Sequence, residues 1–213
     1  MNPNPAFDLA SHDQNIAFAR ARGFGQLSIN GGFGPLAVHA PFVLDDTGEA
    51  AFLHLVRSNP ILDALDQPLP ALLSVSGPDG YISPDWYGVP NQVPTWNYVA
   101  VHLRGSLERL PDTRLGEVLD MVSDNFERRL APKAPWRAEK MDSQVRARMM
   151  RAIVPVRMTV DEVRGTWKLG QNKPDDVRYS AADAAPCGVG QELDALAELM
   201  REFARDPQDG VDS

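Results

Sequence analysis

Alternation of apolar and polar positions is the strongest pattern in this chain, and it predicts strands. The strand-like runs cover residues 24–29, 36–44, 50–56, 71–76, 96–110 and 154–160. Turn-forming residues separate the first three runs, so these predict an antiparallel meander. The chain therefore favours a mainly β fold with about six or seven strands, and a small barrel with appended helices fits this best.

A period near 3.6 predicts helices in the rest of the chain. These helices are expected over residues 12–21, 115–130, 142–151 and 191–204. Asn59-Pro60 predicts the start of a further short helix, because proline suits the first helical turn. Ser11 and Gln14 have the spacing of a capping box at the start of the first helix. The segment Lys173–Gly190 is polar and rich in helix breakers, which predicts a loop or a partly disordered segment. The expected domain is 1–172 with a helical insert at about 111–151, followed by a loop and C-terminal helix over 173–213.

Composition narrows the protein class. The 213 residues carry a net charge of −8 and include one cysteine, Cys187. A single cysteine excludes an intrachain disulfide framework and a multi-cysteine metal site. We find neither an N-terminal signal segment nor a stretch of about 18 apolar residues, so we expect a soluble, cytoplasmic protein without a membrane span.

The charge is unevenly distributed, which bears on possible partners. Residues 126–151 contain eight basic residues against three acidic ones. This basic segment is either a solvated pair of helices or an anion-binding face, and DNA contact through it would use Arg128, Arg129, Arg146 and Arg148. The total negative charge argues against non-specific coating of nucleic acid.

Aromatic residues, glycines and prolines cluster in the segment between Gly77 and His102. This segment holds five of the eight Trp and Tyr residues together with polar side chains such as Thr95 and Asn97. Because it is too aromatic for a solvent loop and too broken for a strand, it predicts either a rigid wall beside a planar ligand or a loop packed on the core or in a dimer interface.

A second polar cluster follows the last predicted strand. Lys168, Gln171 and Asn172 carry a cation and two amides that can bond ligand carbonyls and ring nitrogens. The same residues also suit an ordinary helix C-terminus capped by Gly170. The three strand histidines, His39, His54 and His102, lack a local ligand pair, so no metal site is predicted.

Five motifs in order resemble the PaiB family of FMN-binding negative transcriptional regulators. They are His39-Ala40-Pro41, His54 with Asn59-Pro60, Tyr81-Ile82-Ser83 with Trp86-Tyr87, Val93-Pro94-Thr95-Trp96-Asn97-Tyr98 with Val101-His102, and Lys168-Leu169-Gly170-Gln171-Asn172. The resemblance covers about residues 5–172. It implies an FMN-binding split β-barrel, usually a homodimer with flavin sites at the subunit interface.

The resemblance also implies a set of flavin-binding residues. These are His39, Pro41, His54, Asn59, Trp96, Asn97, Tyr98, Lys168, Gln171 and Asn172. His39 and Pro41 would border the flavin, whereas residues 96–98 would line its ring. Arg57 is added on chemical grounds, because a guanidinium suits the FMN phosphate.

Three functions remain open at this point. A regulator or flavin-linked sensor follows from the resemblance. A flavin-dependent oxidoreductase acting on a small substrate is an alternative, although no pair of residues here has the look of a catalytic acid and base. A dimeric interaction module without a cofactor is the third.

Overall fold

A computed structural model describes residues 2–203, whereas Met1 and residues 204–213 lie outside the described part. The strands within it are β1 (Phe24–Gly31), β2 (Gly34–Pro41), β3 (Val43–Leu44), β4 (Ala50–Val56), β5 (Leu69–Ile82), β6 (Thr95–Arg109), β7 (Ile153–Lys168) and β8 (Gly190–Gln191). The α-helices are α1 (His12–Arg22), α2 (Pro60–Asp63), α3 (Leu115–Glu127), α4 (Ser143–Met150), α5 (Asp175–Ala184) and α6 (Leu193–Glu202). The mainly β class with appended helices is thus confirmed.

The strands hydrogen-bond in the order β2-β1-β5-β6-β7-β4-β3, and β8 pairs with β5. The predicted meander is confirmed in part. β1 pairs with β2, and Val43–Leu44, the end of the second predicted run, pairs with β4, but the long ladder of β4 forms with β7. All seven residues of β4 find antiparallel partners in β7, whereas the adjacent β3 offers only two. β4 lies between these two strands and bonds on both edges, which satisfies backbone groups that an isolated hairpin would leave unpaired.

Contacts between Cα atoms divide the chain into two compact units. Among the described residues, unit 1 comprises 2–15, 76–101 and 164–203, and unit 2 comprises 16–75 and 102–163. The apolar side chains at the centre of unit 1 include Ile82, Val99, Leu169 and Leu196. Those at the centre of unit 2 include Leu27, Leu53, Leu73, Leu103 and Met158. Each unit therefore has its own buried apolar core.

Local signals located several helices correctly. The Ser11 hydroxyl accepts a hydrogen bond from the Gln14 amide at 3.1 Å, and the Gln14 side chain accepts one from the Ser11 amide at 2.8 Å. This reciprocal pair is the predicted capping box at the start of α1. At α4, the Asp142 carboxylate accepts from the backbone amides of Gln144 and Val145, both at 3.0 Å. The predicted helices at these two places are confirmed.

Two local predictions were wrong. Residues 77–82 continue β5, although their glycines and proline suggested a segment too broken for a strand. A Cβ atom at Gly80 would lie 2.8 Å from the side chain of Leu196, so a larger residue there would displace this leucine. The predicted loop over residues 173–190 contains α5, which buries Val177, Ala181 and Ala182 on one face. Small residues gave this face too weak an apolar signal to detect.

The C-terminal helix is present as α6, which buries Leu196, Ala197 and Met200. Ala204, the last residue of the predicted helix, lies outside the described residues. Within residues 2–203, no helix combines the length and the apolar character needed to cross a membrane.

Candidate flavin-binding residues

The start of β6 presents the aromatic residues of the Pro-Thr-Trp-Asn-Tyr string. Side chains alternate between the two faces of a strand, so Trp96 and Tyr98 share one face and Asn97 points to the other. Trp96 is 45% exposed, whereas Asn97 is 1% exposed. The structure thus separates Asn97 from the two aromatic residues with which it was grouped.

Trp96 forms an aromatic pair with Tyr81 of β5. Their ring centroids are 6.5 Å apart with an interplanar angle of 73°, an edge-to-face arrangement. Such pairs hold the orientation of an exposed ring because the edge of one ring carries positive charge and the face of the other carries negative charge. Trp96 is therefore an oriented, partly exposed flat surface.

Lys168 ends β7 and supplies a cation in unit 1. Its ammonium group donates a hydrogen bond to the Thr95 hydroxyl and lies 5.8 Å from the centre of the Phe7 ring. Partial burial lowers the pKa of Lys168, because the charged form loses solvation. The contact of Phe7 with Lys168 was not predicted, because the residues next to Phe7 in the sequence do not indicate a partner in β7.

The other two members of the Lys168 cluster have different environments. Gln171 is 1% exposed; its side-chain oxygen accepts from the Leu169 amide at 2.8 Å, and its side-chain nitrogen donates to the Trp167 carbonyl. Gln171 thus stabilises the turn after β7, where Gly170 adopts a positive φ of 81°. Asn172 is exposed and available to a ligand.

Asn97 has an unsatisfied buried acceptor. Its side-chain nitrogen donates to the Met200 sulfur at 3.5 Å, which is a weak interaction. Its side-chain oxygen has no hydrogen-bond partner among residues 2–203. An unmet buried acceptor costs about 1–3 kcal/mol, so a ligand or water that donates to this atom would be stabilising.

His39 and Pro41 lie in unit 2 on β2. The His39 ring stacks on Phe24 at a centroid distance of 6.2 Å and an interplanar angle of 22°. His39 is exposed, and Phe24 is 53% exposed. Pro41 ends β2 opposite Phe24 in the register of β1 and β2. These residues form a second partly exposed ring surface.

His54 lies on β4 opposite Pro155 of β7. Its Nδ1 atom is buried and has no hydrogen-bond partner among the described residues. Burial lowers the pKa of His54 below its ordinary value, because the imidazolium form would lose solvation. His54 therefore favours the neutral form, which can bond a ligand through a nitrogen lone pair.

Arg57 and Asn59 both have internal partners. The Arg57 guanidinium donates to the carbonyl oxygens of Arg151 at 2.9 Å and Ile153 at 3.2 Å, and it pairs with the Asp112 carboxylate at 3.2 Å. Asn59 caps α2, because its side-chain oxygen accepts from the Ile61 amide at 3.0 Å. The assignment of Arg57 to the FMN phosphate stays a prediction, and binding there requires exchange of these bonds.

Half of the four arginines predicted for DNA have internal partners. Arg128 pairs with Asp124 at 3.3 Å, and Arg129 donates to the carbonyl oxygens of Arg20 and Ala21 at the end of α1. By contrast, the side chains of Arg146 and Arg148 on α4 have no hydrogen-bond or ion-pair partner within residues 2–203. The two unpaired cations among these four arginines thus both lie on α4.

Comparison with known proteins identifies relatives of this fold. A family model described as "Putative FMN-binding domain" matches residues 1–162. The "Protease synthase and sporulation protein PAI 2" of Bacillus subtilis is 24% identical over 198 residues, covering 92% of this chain and 94% of the relative.

Solved structures agree on the fold. A conserved hypothetical protein from Mycobacterium tuberculosis has a TM-score of 0.56 at 16% identity, covering 81% of this chain and 94% of the other. The FAD and heme binding protein from Mycobacterium smegmatis has a TM-score of 0.54 at 19% identity, covering 75% and 72%. The predicted split-barrel fold class is thereby confirmed. With its match over residues 1–162, this chain belongs to the FMN-binding domain family that includes PaiB, and FMN is the cofactor of that family.

Proposed function

We propose that the protein is a PaiB-like regulator that binds FMN, acting as a negative transcriptional regulator or a flavin-linked sensor. The observation that carries the flavin part is the partly exposed Trp96 ring, oriented by Tyr81 on the adjacent strand of the family's fold. An oriented aromatic surface that remains open suits a planar ligand better than it suits a packed core.

The residues around Trp96 fit the chemistry of the flavin ring. An isoalloxazine has a flat apolar face and an edge of carbonyl oxygens and ring nitrogens. Trp96 and Tyr98 offer ring surface, and the Lys168 ammonium, paired with the Thr95 hydroxyl, offers donors for the polar edge. When bound, FMN supplies reversible electron-transfer chemistry.

Lys168 has a defined task in this proposal. Its ammonium group donates a hydrogen bond and places positive charge in unit 1, which favours electron-rich ligand atoms. Because burial already lowers the pKa of Lys168, an anionic or electron-rich partner would restore some of the lost stabilisation of its charged form.

We also propose that the protein is a homodimer and that it is cytoplasmic. Large apolar side chains stay exposed in each unit, among them Trp96 in unit 1 and Phe24, Phe33 and Val56 in unit 2. Phe33, at the tip of the β1–β2 hairpin, is fully exposed. Exposed aromatic residues in such number support a protein interface.

Trp96→Ala is expected to weaken FMN binding at least about tenfold, because the ring loses its stacking surface. The measurement is quenching of FMN fluorescence during titration with the purified protein. Trp136→Ala is the matched control, since Trp136 is also partly exposed but lies in unit 2 and is not among the predicted flavin-binding residues, and it should leave the affinity unchanged. Wild-type binding no tighter than about 1 mM would contradict the flavin proposal.

The regulatory part requires contact with DNA, which the basic segment supports. We take as probe a DNA duplex that the wild-type protein binds. Changing Arg128, Arg146 and Arg148 to Glu should weaken binding to this probe at least about tenfold, because phosphate contacts are lost. Arg129 is left intact because it holds the end of α1. The assay is an electrophoretic mobility shift at fixed salt.

The control for this experiment is a triple variant with the same change in charge. Arg104, Arg114 and Arg201 are exposed, lie outside the basic segment, and should tolerate replacement by Glu with little change in DNA binding. Equal losses in the two triple variants would indicate a bulk charge effect and reject the basic segment as the DNA-binding face. Undiminished binding by the first variant would reject it as well.

A further inference from the structure

Unit 2 contains an apolar cavity between α3, α4 and the segment that joins them. Its volume is about 190 Å³. The apolar wall consists of Leu119, Trp136, Met141, Met149, Met150 and Ile153. None of the residues predicted to hold FMN lines this cavity. It is therefore a candidate site that the flavin function does not use.

Ion pairs hold the joining segment against α3. The Glu127 carboxylate accepts a hydrogen bond from the Trp136 amide at 2.7 Å and also pairs with Lys133. Arg137 forms a second ion pair with Asp124 of α3. These contacts hold the backbone of Trp136, so the cavity wall exists before a ligand binds, and little ordering is needed on binding.

The polar groups at the cavity favour an anion. Arg146 of α4 lines the cavity and is half-buried, and its side chain has no hydrogen-bond or ion-pair partner within residues 2–203. Asp120 also lines the cavity but is exposed, so water can solvate its carboxylate. Of the nearby acidic residues, Glu127 is paired with Lys133, and Asp142 caps α4. The Arg146 guanidinium is thus the cavity's unpaired, half-buried charge.

The size and the wall of the cavity limit the body of the ligand. A dry apolar cavity of about 150 Å³ can hold one benzene ring, so this volume suits one ring with a short substituent. Methionine side chains adapt their shape and make favourable contacts with aromatic rings. Trp136 adds a flat surface. An aromatic body therefore fits this wall well.

We propose that this cavity binds a small carboxylate with a single aromatic ring, whose carboxylate pairs with Arg146. The ring occupies the wall formed by the methionines and Trp136, while the guanidinium donates two parallel hydrogen bonds to the carboxylate. The site does not depend on FMN binding, because no residue assigned to the flavin takes part in it.

Benzoate titrated into the full-length protein, labelled with ¹³C at the methionine methyl groups, tests this proposal. We expect saturable shifts of the Met141, Met149 and Met150 signals with a Kd of about 1 mM or tighter. The signals of Met121, Met158 and Met200, which do not line the cavity, should stay in place. Benzyl alcohol, which has the ring without the charge, should bind at least about tenfold more weakly.

Two variants separate the charge from the cavity shape. Arg146→Gln should weaken benzoate binding at least about tenfold and leave benzyl alcohol binding unchanged. Arg148→Gln is the matched control on the same helix, and since Arg148 does not line the cavity it should bind benzoate like the wild type. The proposal is overturned if benzoate fails to shift the three cavity methionines, or if Arg146→Gln binds benzoate as tightly as the wild type.

Discussion

Replacing Gly105 with alanine is expected to lower the free energy of unfolding by at least about 3 kcal/mol. A Cβ atom at this position of β6 would lie 1.8 Å from the Thr159 carbonyl oxygen and 3.1 Å from the Asp161 nitrogen, both backbone atoms. A side chain could rotate away from the new methyl group, but the backbone of β7 can move only by disturbing the pairing of its strand.

Urea unfolding followed by far-ultraviolet circular dichroism measures this effect. Gly116→Ala is the matched control because a Cβ atom there meets nothing within 4 Å. Gly116 lies in α3, so alanine should raise the free energy of unfolding by about 0.5 kcal/mol. A loss of less than about 1 kcal/mol in Gly105→Ala would contradict the close approach of the two strands.

The second large effect is expected at Arg178 of α5, which is 1% exposed. Its guanidinium donates to the Phe203 carbonyl oxygen at 3.1 Å and to the Asp175 carboxylate at 2.8 Å. Arg178→Ala should lower the free energy of unfolding by about 3 kcal/mol, because it leaves a cavity and removes the donor to Phe203. The measurement is again urea unfolding, followed by tryptophan fluorescence.

Arg178→Met separates packing from hydrogen bonding. Methionine keeps an unbranched apolar stem of similar length, and replacing a buried charge with an apolar side chain is often nearly neutral. Asp175 remains 68% exposed, so its carboxylate can be solvated once the guanidinium is gone. We expect Arg178→Met to lower the free energy of unfolding by less than half as much as Arg178→Ala does. Equal decreases in the two variants would mean that the hydrogen bonds, rather than the packed stem, stabilise this position.

Local chemistry predicted the elements whose signals lie within a few residues. The capping box of Ser11 and Gln14 starts α1, and Asn59 caps the short helix α2 that begins at Pro60. In both cases a side chain satisfies backbone amides that the first helical turn leaves free. Such bonds depend on neighbours in the chain, so spacing alone reveals them.

Only the strand pairs that are neighbours in the chain could be predicted in this way. The hairpin of β1 and β2 was expected, whereas the long ladder of β4 forms with β7, about a hundred residues later. Alternation shows that a segment has one buried face, yet it carries no information about which segment pairs with it. Likewise, residues 77–82 were judged too broken for a strand because the partners that accommodate Gly80, such as Leu196, are distant in the chain.

In the candidate site, too, features that depend on the order of residues were predicted, whereas contacts between distant residues were not. Motif order was sufficient to identify the family and its cofactor. The structure places Trp96 and Lys168 in one unit, and their role in binding FMN stays a prediction. Motif order did not show that Asn97 faces away from Trp96. It also did not show that the Gln171 side chain is hydrogen-bonded within the turn after β7. It also missed Phe7 beside Lys168.

The sequence by itself determined the mainly β class, the helices with local caps, the family and the excess of basic residues in the segment 126–151. These features depend on periodicity, neighbouring side chains and motif order, and all three are properties of the amino-acid sequence. Only the tertiary structure decided which of those cations stay free. Arg128 and Arg129 have partners, whereas Arg146 faces an apolar cavity without one. Charge is a property of composition, but its availability to a ligand depends on burial and on partners that folding brings close.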